Sequence, residues 1–321
     1  MPDSIGSPML WIGFLIFVIL MLAVDLGLFN RKAHKISMRE AGLWTVVWIS
    51  LALIFNVGIY HWFGTQHALE FLTGYLMEKA LSMDNLFVFL VLFSFFGVPS
   101  QYQHRVLFFG ILGALIMRAI FIFAGVAIIQ IFHPIMYVFG AFLLFTGIKL
   151  AVSKGEQVHP EKNILLRIFR KVVPTVPDYH GEHFIVRRDH RWFATPLLAV
   201  LVVIEGTDVL FAVDSIPAIF GITRDPFIVF TSNIFAILGL RAMYFLLAGI
   251  VEKFRYLKYG LGVILAFVGV KMLVEDLLHS IHREIPILLS LGIIAGLLAL
   301  SIILSLVIPD RSDMARAVKS D

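Results

Sequence analysis

Tyr137–Lys149 reads YVFGAFLLFTGIK, and Tyr259–Lys271 reads YGLGVILAFVGVK. Tyr, Gly, Leu, Phe, Gly and Lys recur at identical offsets in the two stretches. The likeness continues upstream, where ILGALIMRAIFIFAG resembles ILGLRAMYFLLAG and pairs Arg118 with Arg241 at a small offset. Further upstream, EKALSMDN from Glu78 resembles DVLFAVDS from Asp208, each with acids six residues apart. Chance similarity between apolar helices, which share a small alphabet, accounts poorly for acids repeated at one spacing. Each unit contains three apolar spans, and an odd number inverts the second unit in the membrane relative to the first. Inverted repeats of this kind recur in secondary transporters, with the substrate site near the midplane where the halves meet.

Composition agrees with a membrane chain. Of 321 residues, 60% are hydrophobic and 15% charged, against roughly 45–50% and about 25% in soluble domains. About 20 apolar residues cross the hydrocarbon core. Nine stretches of that order are read, near 10–29, 41–63, 69–96, 106–131, 134–152, 193–216, 226–249, 259–278 and 285–308. The expected fold is all-α, a polytopic helical bundle forming one integral membrane domain over 1–321. Within it the first repeat covers 69–152, a polar cytoplasmic linker 153–192, the second repeat 193–278 and the last span 285–308. The linker histidines His159, His180, His183 and His190 lack the tight spacing of a metal site, so a solvated connection is the reading there. The leader MPDSIGSP carries no Lys or Arg and no cleavage pattern follows, so the first stretch reads as a retained span.

Basic residues assign the sides. Arg31, Lys32, Lys35 and Arg39 follow span one; Arg105 follows span three; the 153–192 stretch follows span five. Lys253, Arg255 and Lys258 follow span seven, and Arg311, Arg316 and Lys319 lie in the tail, whereas the alternate connections hold only Arg224 and Arg283. Such a bias predicts an external N-terminus, a cytoplasmic C-terminus and an odd span count. The net charge of +4 therefore serves topology, and no nucleic-acid partner is expected. The lipid bilayer is the expected partner. Oligomeric state is not legible.

Function has to come from charges inside the apolar stretches: Asp25, Glu78, Asp84, Glu205, Asp208 and Asp214, opposed by Lys79, Arg118, Arg241 and Lys271, with Lys149 near a span end. Each interior charge costs roughly 2.5–3.5 kcal/mol at a helix centre on insertion scales. On an ideal helix Glu78 and Asn85 share a face, while Asp84 points to one side of it. Glu205, Asp208 and Ser215 share a broad face, but Asp214 lies about 100° or more from each. It joins them only through a distorted helix or a second helix closing the site. Pro217 is expected to kink or end its helix and free the Val213 carbonyl. Asn233 offers a further oxygen or a helix–helix hydrogen bond. Carboxylate, amide, hydroxyl and carbonyl oxygens form the ligand set of a hard divalent cation, Mg²⁺, Ca²⁺ or Mn²⁺. The chain has no cysteine, which removes thiolate sites. The competing account is structural: the acids pair with Lys79, Arg118, Arg241 and Lys271 and hold helices together, with Asp25 an interfacial acid. No nucleotide, serine-hydrolase or zinc-protease motif is present, so the chain reads as a secondary transporter and not an enzyme.

FLTGYLMEKALSMDNLFVF, FGAFLLFTGIK, FAVDSIPAIF and TSNIFAILGLRAMYFLLAG resemble the TerC family of integral membrane proteins, especially its Alx branch, over roughly residues 10 to 305. The resemblance implies a bacterial inner-membrane protein of the LysE transporter superfamily, associated with manganese efflux and in some members with tellurite resistance. By that likeness Glu78, Asp84, Asn85, Asp208, Asp214 and Ser215 match the cation path. The expectation is a secondary exporter of Mn²⁺ or a similar hard divalent cation, with Mn²⁺ as transported ion, no tightly bound cofactor and proton exchange as coupling. The alternatives are a membrane scaffold for tellurite or envelope stress, and an exporter of organic cations or amino acids.

Overall fold

The computed structural model describes residues 4–29, 37–132, 134–152, 164–188, 190–247, 256–280 and 285–307. The side chains of Asp25 and Asp84, and all of His159, lie outside the described residues. The long elements are helical: α1 (Pro8–Phe29), α2 (Met38–Phe63), α3 (Thr65–Phe96), α4 (Ser100–Ile131) and α5 (Ile135–Val152). After them come α6 (Ile164–Val172), strands β1 (Ile185–Arg188) and β2 (Arg191–Ala194), α7 (Pro196–Phe220), α8 (Pro226–Leu238), α9 (Leu240–Leu247), α10 (Leu257–Ser280) and α11 (Ile287–Val307). Among the described residues seven helices are long and apolar enough to cross a membrane, or eight if α8 and α9 make one span. By the same measure α1 is a shorter apolar helix, Pro8–Val24. Large apolar side chains are exposed on the outer faces, Ile12, Ile19, Leu43, Ile54, Ile116 and Phe145 among them. That much exposed apolar surface is what a lipid-facing bundle requires.

Two expectations about helix ends need correction. The single span 226–249 is two helices, bent by 40° at Gly239. Lys79 Nζ and the Trp48 side chain press on Gly239, where a β-carbon would come within 2.8 Å of that nitrogen. Pro217 does not end its helix, for α7 carries it internally and runs to Phe220. The described part of 153–192 carries secondary structure while its strands stay mostly exposed, as a solvated connection allows. It holds α6 and an antiparallel hairpin, with Ile185 opposite Ala194 and Arg188 opposite Arg191. The polar sequence hid these contacts because they are made to other elements. Arg105 of α4 pairs with Glu182 at 2.9 Å, and Tyr179 donates to the Phe96 carbonyl at the end of α3. Burial pushes the Tyr179 phenol above its ordinary pKa, so it remains a donor.

The repeated segments meet face to face. Helices α5 and α10 share the most extensive helix–helix interface, and glycines make it close. A β-carbon on Gly147 would lie 2.6 Å from the Gly262 carbonyl oxygen, and one on Gly262 would lie 2.7 Å from the Gly147 carbonyl oxygen. Gly140 and Gly269 oppose each other in the same way, at 3.1 and 2.7 Å. Rising number on one helix meets falling number on the other, so the two run antiparallel. Between the similar segments, α3 also packs on α8, α7 on α4, and α3 on α7.

The start of α8 is tied to the start of the chain. Asp225 caps α8 through the Phe227 and Ile228 amides, at 2.8 and 3.3 Å. The same carboxylate accepts from Ser4 Oγ and the Ile5 amide, at 2.9 and 2.8 Å. Trp11 and Phe14 of α1 then pack on Phe227 and Phe230, ring centroids 5.1–6.1 Å apart. Losing an N-cap carboxylate costs about 0.5–2 kcal/mol. Asp225→Ala is expected to cost at least that, read as a lower melting temperature in detergent. Asp225→Asn, which can still cap, should recover most of it.

Candidate functional site

Four helices converge on the Arg118 guanidinium. Gly74, one turn before Glu78, lets α3 lie against Ile219 and Ser232; a β-carbon there would meet them at 2.9 and 3.0 Å. That brings Glu78 inward to pair with Arg118 of α4. Arg118 also reaches Asp208 Oδ1 on α7 at 3.5 Å, Ser215 Oγ at 3.3 Å and Asn233 Oδ1 on α8 at 3.4 Å. Asn233 Nδ2 donates to Glu78 Oε2 at 3.0 Å, and Ser82 Oγ to Glu78 Oε1 at 3.4 Å. Arg118 and Asn233 are fully buried, and Glu78, Asp208 and Ser215 nearly so. One guanidinium and two carboxylates therefore share a buried site, with formal charges that do not balance. Satisfaction is incomplete: Arg118 Nε and Asp208 Oδ2 are buried without a hydrogen-bond partner.

The structure thus brings together five of the residues singled out from the sequence, Glu78, Arg118, Asp208, Ser215 and Asn233. Asp208 and Ser215, seven residues apart, do share a face. Asn85 is buried further along α3. Lys79 turns away from Glu78 and donates to the Ala236 carbonyl at 3.1 Å, at the end of α8, where a cation is favoured. Asp214, half-buried, does not join Arg118; it lies within electrostatic reach of Lys149 on α5. Glu205, half-buried and one turn before Asp208, rests its carboxylate against Gly113 of α4, at a point where any β-carbon would overlap it. Arg241 and Lys271 are buried elsewhere and carry interactions of their own. The Asp25 and Asp84 readings fall on side chains outside the described residues. Among the described residues no three His, Cys, Asp or Glu side chains form a metal cage.

Sequence reading missed Ser82 and Gly113. Ser82 stands four residues after Glu78, the spacing at which helical side chains meet, and that signal was available. Gly113 carried none, because its role depends on α7 lying opposite.

An apolar bundle of long helices around a buried ionic centre defines a polytopic integral membrane protein. The chain matches the family described as "Integral membrane protein TerC family" over residues 63–313. It belongs to that family. An uncharacterized membrane protein of Myxococcus xanthus is 55% identical over 304 residues, covering 95% of this chain and 94% of that protein. A protein of Escherichia coli K12 named "Putative membrane-bound redox modulator Alx" is 48% identical over 324 residues, covering 98% and 99%. A Rickettsia felis membrane protein is 41% identical over 299 residues, covering 93% and 98%. No solved structure matches the chain at a significant level.

Proposed function

We propose that the protein is a secondary exporter of Mn²⁺ or a similar hard divalent cation across the bacterial inner membrane. One observation carries the reading. Glu78 and Asp208, acids at matching positions of the two similar segments, meet in a dry site with Ser215 and Asn233, all of them oxygen donors. Buried intramembrane carboxylates that converge from separate helices mark ion pathways, and an all-oxygen set suits Mn²⁺, Mg²⁺ or Ca²⁺.

The proposed architecture is nine spans, α1 included and α8–α9 as one. Spans three to five repeat inverted as six to eight, within the LysE superfamily. Its support is the reciprocal glycine contact: Gly140 corresponds to Gly262 and Gly147 to Gly269 in the sequence repeat, yet each packs on the other's counterpart. A two-fold axis in the membrane plane produces that pattern, since self-complementary contacts pair i with j and j with i. The N-terminus is then external and the C-terminus cytoplasmic, as the basic connections favour.

Glu78→Gln and Asp214→Asn are each expected to abolish protection of cells against excess manganese while membrane insertion stays normal. Unchanged cellular manganese in a strain relying on either variant would sink that residue's assignment. Arg118 favours a second reading, in which the ionic centre is a structural clamp and the protein a scaffold. Flux in proteoliposomes across a panel of metals, with and without a pH gradient, separates the two. Metal flux supports export, and its absence supports the clamp.

A further inference from the structure

We propose that Arg118 is a tethered cation that keeps the Glu78–Asp208 site closed, and that a divalent cation enters by displacing it toward Glu205. The inference rests on the exporter reading and concerns how that same site is controlled. A guanidinium buried against both carboxylates, with Ser215 and Asn233 completing its shell, stands where an oxygen-coordinated cation would stand. The fit is imperfect on both sides, since Arg118 Nε and Asp208 Oδ2 lack partners although buried. One guanidinium against two carboxylates also leaves formal charges unbalanced, whereas a divalent cation would balance the two acids. A buried charge with unmet bonding capacity is poorly compensated, so another cation can compete for the place.

The displaced guanidinium needs an anion, and Glu205 supplies one. It lies three residues before Asp208 on α7, on the same side of the helix, and makes no ion pair among the described residues. Its carboxylate lies against Gly113 of α4, five residues before Arg118 and about 7.5 Å away along the helix axis. Because Gly113 has no side chain, the carboxylate fits there, within electrostatic reach of Asp208, the acid that Arg118 holds. Arg118 then trades Glu78 and Asp208 for Glu205, so the guanidinium keeps a carboxylate partner in both states. The exchange also guards against an empty site, because the acids always hold some cation.

The test uses full-length protein in detergent, with manganese chloride as probe. Arg118→Gln is expected to bind Mn²⁺ about tenfold or more tighter than the wild type, and Mn²⁺ should raise its melting temperature more. The triple variant E78Q/R118Q/D208N should gain nothing from the metal. Monodisperse R118Q that binds Mn²⁺ no tighter than wild type overturns the exchange. Should R118Q not survive purification, phenylglyoxal labelling of wild-type Arg118, mapped by mass spectrometry, decides instead. Mn²⁺ is expected to raise that labelling several-fold, and unchanged labelling overturns the proposal. Tight metal binding by R118Q with no Mn²⁺ flux in wild-type proteoliposomes overturns export alone and supports the exchange as a binding property.

Discussion

Arg118→Met, studied without metal, is expected to lose about 3–5 kcal/mol of stability, the range for breaking a buried ion pair by removing one partner. The loss comes less from the missing bonds than from what remains. Glu78 and Asp208 would face each other nearly dry, each with its chief counter-charge gone. Asn233 Nδ2 and Ser82 Oγ would still donate to Glu78, and Asp208 would have no comparable donor among the described residues. The triple variant E78Q/R118M/D208N is expected to recover most of the loss, because replacing a buried ionic set as a whole by neutral groups is often neutral or stabilising. Melting in detergent and the monodisperse fraction by size exclusion check both. If the single variant melts like the wild type, the ionic centre contributes nothing to cohesion.

The second large effect belongs to the glycine contact. Gly147→Leu is expected to drive α5 and α10 apart and prevent correct assembly. The group that blocks the new side chain is backbone, the Ala266 amide and the Gly262 carbonyl, and a helix backbone cannot rotate aside as a side chain can. Gly147→Ala is milder and should cost about 1–3 kcal/mol, as overpacking does. Gly140→Ala should cost less again, since its nearest neighbour is the Leu273 side chain at 3.0 Å. Gly292→Ala and Gly296→Ala on α11, with nothing within 4 Å, serve as controls and should leave melting unchanged. Cross-linking of Cys pairs placed at 140 and 269, on the otherwise cysteine-free chain, reports whether the helices still meet.

Much of this was visible in the residues. Apolar runs locate the helices within a few positions because hydrocarbon burial decides both composition and length there. The repeat YVFGAFLLFTGIK and its partner pointed to two helices with glycines at identical offsets. Which face meets which depends on docking, and only the structure supplied the reciprocal contact. Intramembrane acids were legible because charge is rare in such segments, but their choice of partner was not. Lys79 is adjacent to Glu78 in sequence and still serves the end of α8, while Arg118, 40 residues on, takes the acid. The rotation of each helix about its axis sets that choice. Gly239 looks like any glycine in an apolar run until Trp48 and Lys79 are packed on it. Of the two outcomes expected at Pro217, the helix end does not occur, as α7 carries it one turn before Phe220. The hairpin in the linker was under-read, since each strand has only four residues.

The Asp225 cap has a consequence for synthesis. Ser4 and Ile5 bond to a carboxylate 221 and 220 residues away in sequence. At about 5–20 residues per second, the ribosome delivers that partner roughly 10–45 s after the chain begins. Through that interval α1 has its contact with α2, through Phe14 and Phe55, but not its contact with α8. A tag fused before Met1 acts on this step, because bulk beside Ser4 competes with closure of the cap. Purified yield should therefore depend more on which end carries the tag than on its size.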